Sequence, residues 1–191
     1  MIDQRALGEP NNVVVEDERD FDLLKAWAKA GTQNNTQLWM QINHPGKQVP
    51  KGLNHESVAP SAIPFGKQMA SFFATPRELT QAEIEDIIQR FARTAFIAKK
   101  AGFSGVQIHG AHGYLLNQFL SPISNKRTDQ YGGSRDNRMR LTLEVFEAIR
   151  KVWPEPKPIG VRLSCVEWVE GGWSIEDTVE LAKRLKALFR D

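Results

Sequence analysis

The stretch that decides the fold is Gly105-Val-Gln-Ile-His-Gly-Ala-His-Gly-Tyr-Leu-Leu-Asn-Gln-Phe-Leu-Ser-Pro122, followed by Asn125-Lys-Arg-Thr-Asp-Gln-Tyr-Gly-Gly-Ser134 and Asn137-Arg138. Gly105 to Ile108 reads as a short strand running into His109. His112 follows three residues later and Tyr114 two after that. Three side chains able to donate hydrogen bonds therefore cluster where a strand runs out into a loop. In α/β folds of barrel type that end of a strand is where side chains do chemistry. The strand alternates, with Val106 and Ile108 opposite Gln107 and His109, as a half-buried strand should.

Outward toward the N-terminus, Thr80-x-x-Glu83 is a capping box that predicts a helix. Ile84, Ile87, Ile88, Phe91, Ala95 and Phe96 form its apolar stripe, and Gly102 ends it. Before it lies His44 to Arg77, a long connection carrying Pro45, Pro50, Pro60, Pro64 and Pro76 with little periodicity. A connection of that length is usually functional or disordered. Thr36 to Asn43 alternates again: Leu38, Met40 and Ile42 face one way, Gln37, Trp39, Gln41 and Asn43 the other. An earlier helix starts near Asp17 to Asp20, carries Phe21, Leu23, Leu24, Trp27 and Ala28, and stops at Gly31. The first fifteen residues read as an irregular lead-in.

Outward toward the C-terminus, Asn137 to Val152 reads as helix through Leu141, Val145, Phe146 and Ile149. Pro158 to Ser164 reads as a strand with Ile159, Val161 and Leu163 on one face and Gly160, Arg162 and Ser164 on the other. A loop from Glu167 to Trp173 follows, and Ser174 caps a last helix carrying Val179, Ala182, Leu185 and Leu188. The order helix-strand-helix-strand-helix-strand-helix predicts repeated βα units on a parallel sheet, in one α/β domain over residues 1–191. Strands of an open, doubly covered sheet would be apolar on both faces. Here each keeps one polar face, carrying Gln41, His109 and Arg162, which suits a barrel whose mouth holds a polar ligand. A Gly-x-Gly-x-x-Gly phosphate turn is missing, which argues against a dinucleotide-binding fold of the open kind.

Composition narrows the function classes. The 191 residues are 41% hydrophobic and carry a net charge of +2, with no dense basic block to bind nucleic acid. No run approaches the ~20 apolar residues of a membrane span, and Met1-Ile-Asp-Gln-Arg5 lacks the apolar segment of a secretory signal. A single cysteine, Cys165, excludes an intrachain disulfide and suits a reducing compartment; it reads as a strand-end packing residue. Asn34-Asn35-Thr36 matches a glycosylation sequon, of little use without a signal. A cytoplasmic protein is expected. His109 and His112 invite a metal reading, but a catalytic zinc needs a third ligand, and none stands at motif spacing, so no metal is expected.

The quoted stretch closely resembles the old yellow enzyme family of FMN-dependent NAD(P)H oxidoreductases. The shared pattern is His-x-x-(His/Asn)-Gly-Tyr-Leu-x-x-(Gln/Glu)-Phe-Leu-x-Pro followed by Asn-x-Arg-Thr-Asp-x-Tyr-Gly-Gly-Ser. Two flanking segments match as well. Gln41-Ile-Asn-His-Pro-Gly-Lys-Gln48 is similar to the family's Gln-Leu-x-His-x-Gly-(Arg/Lys), and Gly160-Val-Arg-Leu-Ser164 to its arginine-bearing strand.

The resemblance implies a set of roles. Gln41 hydrogen-bonds the flavin pyrimidine, since an amide both donates and accepts; the alternative is a polar residue satisfied inside the barrel. Arg162 faces the flavin N1/O2 edge, where its fixed charge stabilises negative charge; the alternative is a structural ion pair. His109, which also borders the flavin, and His112 bind the carbonyl or nitro oxygen of the substrate. Tyr114, protonated at neutral pH, delivers a proton to the substrate α-carbon. His44 is a loop-shaping residue or a further site residue. Asn125 to Ser134 with Asn137 and Arg138 braces the active-site loop.

The implied activity is reduction of activated C=C bonds in α,β-unsaturated carbonyl compounds, with FMN as cofactor and NAD(P)H as reductant. A relative acting on amines or enoyl thioesters is the alternative within the enzyme class. The resemblance covers the third to fifth βα units of a (β/α)8 TIM barrel. The family's first strand and its phosphate-binding loops have no counterpart, so residues 1–191 alone are expected to elute without flavin, as a catalytically inactive fragment. Such a piece persists by pairing with a complementary fragment, by self-association into a homo-oligomer, or by remaining partly unfolded.

Overall fold

A computed structural model describes residues 1–189. Three strands make the main sheet: β1 (Trp39–Ile42), β4 (Gly105–Gly110) and β5 (Ile159–Leu163), in the order β1-β4-β5. All pairings are parallel, with Gln41 opposite Gln107 and His109 opposite Arg162. The helices are α1 (Phe21–Gly31), α2 (Gln81–Ala101), α3 (Leu115–Leu120), α4 (Arg135–Val152) and α5 (Ile175–Leu188). A two-residue parallel pair, β2 (Val58–Ala59) with β3 (Arg77–Glu78), lies in the long connection after β1. That connection is therefore ordered, although its strands are too short to leave a periodic signal.

The chemistry of each helix end explains where it sits. Thr80 and Glu83 form the capping box of α2 with both bonds made, and Gly102 closes it at φ +99°, a left-handed position that suits glycine. Ser174 and Asp177 form the corresponding box on α5. Helix α4 starts two residues before the expected Asn137, because Ser134 accepts the Asn137 N–H at 3.2 Å and so caps the chain earlier. Helix α3 falls where a loop was expected. Its six residues, Leu-Leu-Asn-Gln-Phe-Leu, are all buried, so it has no solvent-exposed face to set a helical period.

The core lies between the sheet and its outer helices. Val106 and Ile108 of β4 and Met40 and Ile42 of β1 meet Ile84, Phe91 and Ala95 of α2 and Leu141, Val145 and Phe146 of α4. Burying each large side chain contributes about 1.5–3 kcal/mol. The lead-in is irregular, as expected, but Ile2 and Val15 are core residues, and Ile2 N–H bonds the Asn43 carbonyl at 3.2 Å. Cys165 is exposed rather than packed: it lies just past β5, where its carbonyl accepts a hydrogen bond from Thr178. Among the described residues no helix is long and apolar enough to cross a membrane.

The brace is built as its residues suggested. Arg127 is buried; its guanidinium donates to the Pro60 and Leu79 carbonyls at 3.0 and 2.6 Å and pairs with Asp129 at 2.6 Å. Asn125 donates to the Phe119 and Tyr131 carbonyls, and Arg138 to the carbonyls of Leu120 and Gly133. The loop after α3 is thereby tied to both β2/β3 and α4.

Candidate functional site

Alternation along three in-register strands puts one polar face on the sheet. Its rows run Trp39 with Gly105, then Gln41 with Gln107 and Gly160, then His109 with Arg162. The first row is a floor. A Cβ on Gly105 would stand 2.5 Å from the Trp39 indole, and one on Gly160 would stand 3.1 Å from it. The indole therefore lies across two positions that have no side chain. Above it, the Gln41 amide donates to the Gln107 carbonyl oxygen at 2.6 Å. That bond leaves Gln41 Oε1 free to accept and Gln107 Nε2 free to donate, the two functions an imide or a pyrimidine ring can engage. Arg162 is exposed on the same face and makes no ion pair or hydrogen bond among the described residues. The ion-pair alternative for it thus has no carboxylate to rest on there.

The strand end brings three donors together. The His109 ring centroid lies 5.2 Å from that of His112 and 4.9 Å from that of Tyr114, both edge-on. Burial first, then the charges of neighbouring His112 and Arg162, pushes His109 down to about 4, so it is neutral at pH 7. Its Nδ1 accepts the Ala111 N–H at 3.3 Å. The proton of the neutral ring therefore sits on Nε2, which is left as a donor. His112 is exposed at φ +60°, a left-handed conformation costing an L-residue about 1–2 kcal/mol. Tyr114 is half-buried at the N-cap of α3, and its hydroxyl has no partner among the described residues.

His44 does not join this group. It is buried, its Nδ1 accepts the Gly46 N–H at 3.0 Å, and it lines a separate cavity of about 130 Å³ with Asp3, Arg5, Arg77 and Glu83. Its place is that of a loop-shaping residue. Three residues near the site carry no role in the sequence reading: Gln107, Ser164 and Gln48. The first two sit two residues from His109 and Arg162 on alternating strands, so the period-two rule points to both. No local signal marks Gln48.

The two buried histidines make stability depend on pH. Burial also pushes His44 down to about 4. Between the ordinary value of 6.5 and that of about 4, the unfolded chain takes up protons that the folded chain refuses. Stability from these groups is then complete above pH 6.5 and lost as pH falls toward 4, by up to about 3 kcal/mol for each. Urea midpoints taken from pH 7.5 to about 5.5 should fall steadily across the upper part of this window, above the range where carboxylates titrate. Equal midpoints at both ends would contradict the burial of these imidazoles.

The family described as NADH:flavin oxidoreductase / NADH oxidase matches residues 1–191. The NADPH dehydrogenase of Clostridium acetobutylicum is 46% identical over 173 residues, 90% of this chain and 50% of that protein. The NADH oxidase of Thermoanaerobacter brockii is 45% identical over 169 residues, 87% of this chain and 25% of that protein. Two solved structures are similar, both at 30% identity. One is a 2-naphthoyl-CoA reductase complexed with 2-naphthoyl-CoA, with TM-score 0.89 over 97% of this chain and 30% of that one. The other is morphinone reductase in complex with tetrahydroNAD, with TM-score 0.82 over 96% of this chain and 56% of that one. The chain spans half or less of the length of these curated relatives.

Proposed function

This chain belongs to the NADH:flavin oxidoreductase / NADH oxidase family, and from that membership we propose that its polar sheet face holds FMN in an enzyme that reduces activated C=C bonds with NAD(P)H. The sheet is then one arc of a (β/α)8 barrel, roughly its third to fifth βα units. The observation that carries the reading is the alignment of Arg162, which has no carboxylate partner among the described residues, beside His109 and one row above the open Gln41–Gln107 amide edge.

The residues present fit the cofactor. The amide edge matches the donor and acceptor pattern of a flavin pyrimidine, and Arg162 offers a fixed positive charge beside it. When bound, FMN supplies hydride transfer from NAD(P)H to the β-carbon of the alkene. The protein's own part is to orient and polarise. His109 Nε2–H, with His112, donates to the carbonyl oxygen of an α,β-unsaturated ketone or aldehyde. Those donors make the β-carbon electrophilic and oppose the negative charge that develops on the oxygen. Tyr114 then gives its phenolic proton to the α-carbon and is reprotonated from solvent. The product is the saturated carbonyl compound.

The test is anaerobic NAD(P)H oxidation by the FMN-loaded full gene product, with 2-cyclohexenone, an amine and an enoyl thioester as competing acceptors. Turnover dependent on cyclohexenone is expected. Turnover with only the amine or only the thioester would overturn the assignment of substrate class.

A further inference from the structure

We infer that Ser164, Gln48, Asn117 and Gln118 form a clamp that positions His112, an inference resting on the reading of His112 as an oxygen-binding donor. His112 and Gly113 are consecutive left-handed residues, at φ +60° and +72°. All four backbone polar groups of this dipeptide are taken up by side chains. The His112 N–H donates to Ser164 Oγ at 2.9 Å, and Gln48 Nε2 donates to the His112 carbonyl at 2.6 Å. The Gly113 N–H donates to Asn117 Oδ1 at 2.7 Å, and Gln118 Nε2 donates to the Gly113 carbonyl at 2.6 Å.

The partners come from three different places. Gln48 follows β1, Asn117 and Gln118 lie on α3, and Ser164 follows β5. Gln118 also donates to the Pro45 carbonyl at 3.2 Å and accepts the Lys47 N–H at 3.2 Å, so the same side chain ties the turn to the loop after β1. An exposed turn needs none of this, because water would satisfy its backbone. A turn gripped at every polar group, by residues after β1 and β5 and by α3, keeps one imidazole at a fixed place beside His109.

The clamp accounts for two sequence features. Gly113 holds φ +72°, which favours glycine, and a Cβ there would stand 2.6 Å from Gln48 Nε2 and push that grip aside. Position 112 must tolerate a left-handed backbone and also offer an N–H donor from its side chain. Histidine and asparagine are enriched in that conformation among non-glycine residues, and both carry such a donor.

Ser164→Ala and Gln48→Met remove one grip each, from opposite sides of the turn, and Ser164→Thr keeps the hydroxyl. In the full gene product, the His112 amide should exchange its hydrogen about tenfold faster in each of the first two variants. The amides of Val106 and Ile108 in β4 should keep their protection, and Ser164→Thr should restore that of His112. With FMN bound, both loosening variants should raise KM for 2-cyclohexenone several-fold, and Ser164→Thr should return it. Unchanged His112 exchange in both, or no rescue by threonine, overturns the clamp. Faster exchange with an unchanged KM overturns its positioning role. Absence of enone turnover in the parent protein sinks the proposed function instead, while the exchange data still decide whether the clamp exists.

Discussion

Tyr114→Phe is expected to slow the reduction of an activated alkene by about 10²–10⁴-fold, the usual contribution of a positioned proton donor. Reduction of bound FMN by NAD(P)H should stay close to the parent rate, because that half-reaction takes no proton from Tyr114. The geometry supports the split. The phenol ring stands edge-on to His109 at 4.9 Å, its hydroxyl has no protein partner among the described residues, and its backbone is fixed at the N-cap of α3. The variant removes a single oxygen and leaves that ring packing in place. Stopped-flow measurement of each half-reaction in the FMN-loaded gene product separates the two steps. Equal slowing of both would mean that Tyr114 shapes the site rather than donating a proton.

The second large effect concerns stability. Arg127→Ala should cost about 2–5 kcal/mol, chiefly because two buried backbone carbonyls lose their donor. The guanidinium is only 5% exposed and serves two backbone carbonyls and the Asp129 carboxylate at once. Its loss leaves the Pro60 and Leu79 carbonyls without that donor and removes the tie between the loop after α3 and the β2/β3 pair. Arg127→Lys should cost nearly as much, since one ammonium cannot reproduce a planar fork reaching three acceptors. Urea unfolding followed by circular dichroism measures both variants. A loss below about 1 kcal/mol in each would show that the brace does not hold the loop.

Much of the architecture was legible because it obeys short-range rules. The alternations at Thr36 to Asn43, Gly105 to His109 and Pro158 to Ser164 identify each strand and which side chains face inward. Thr80 with Glu83, and Ser174 with its helix, marked helix starts through hydrogen bonds made within four residues. What stayed hidden depends on the rest of the fold. Leu115–Leu120 is buried on every side, so its helix shows no period. Val58–Ala59 and Arg77–Glu78 pair across the connection and are too short to alternate. The site divides in the same way. Gln41, His109, His112, Tyr114 and Arg162 stood out by motif, and strand register brings the first, second and last onto one face. The Gln48 bond to the His112 carbonyl spans 64 positions in the chain and has no local sign.

The polar face of β1, β4 and β5 is the proposed FMN site, and flavin affinity tests that assignment most directly. The full gene product is stripped of flavin and titrated with FMN while flavin fluorescence is followed, in parent, Arg162→Met and Gln41→Leu forms. A hydrogen bond to a charged group contributes about 1.5–3 kcal/mol, so Arg162→Met should weaken binding by roughly 10- to 150-fold. The loss at the neutral Gln41 amide should be smaller but measurable. Arg184→Met serves as the control, because that arginine pairs with Glu180 and Asp136 on the outer helices and should leave affinity unchanged. Parent-like affinity in both inner-face variants would contradict the account and place the flavin elsewhere on the protein.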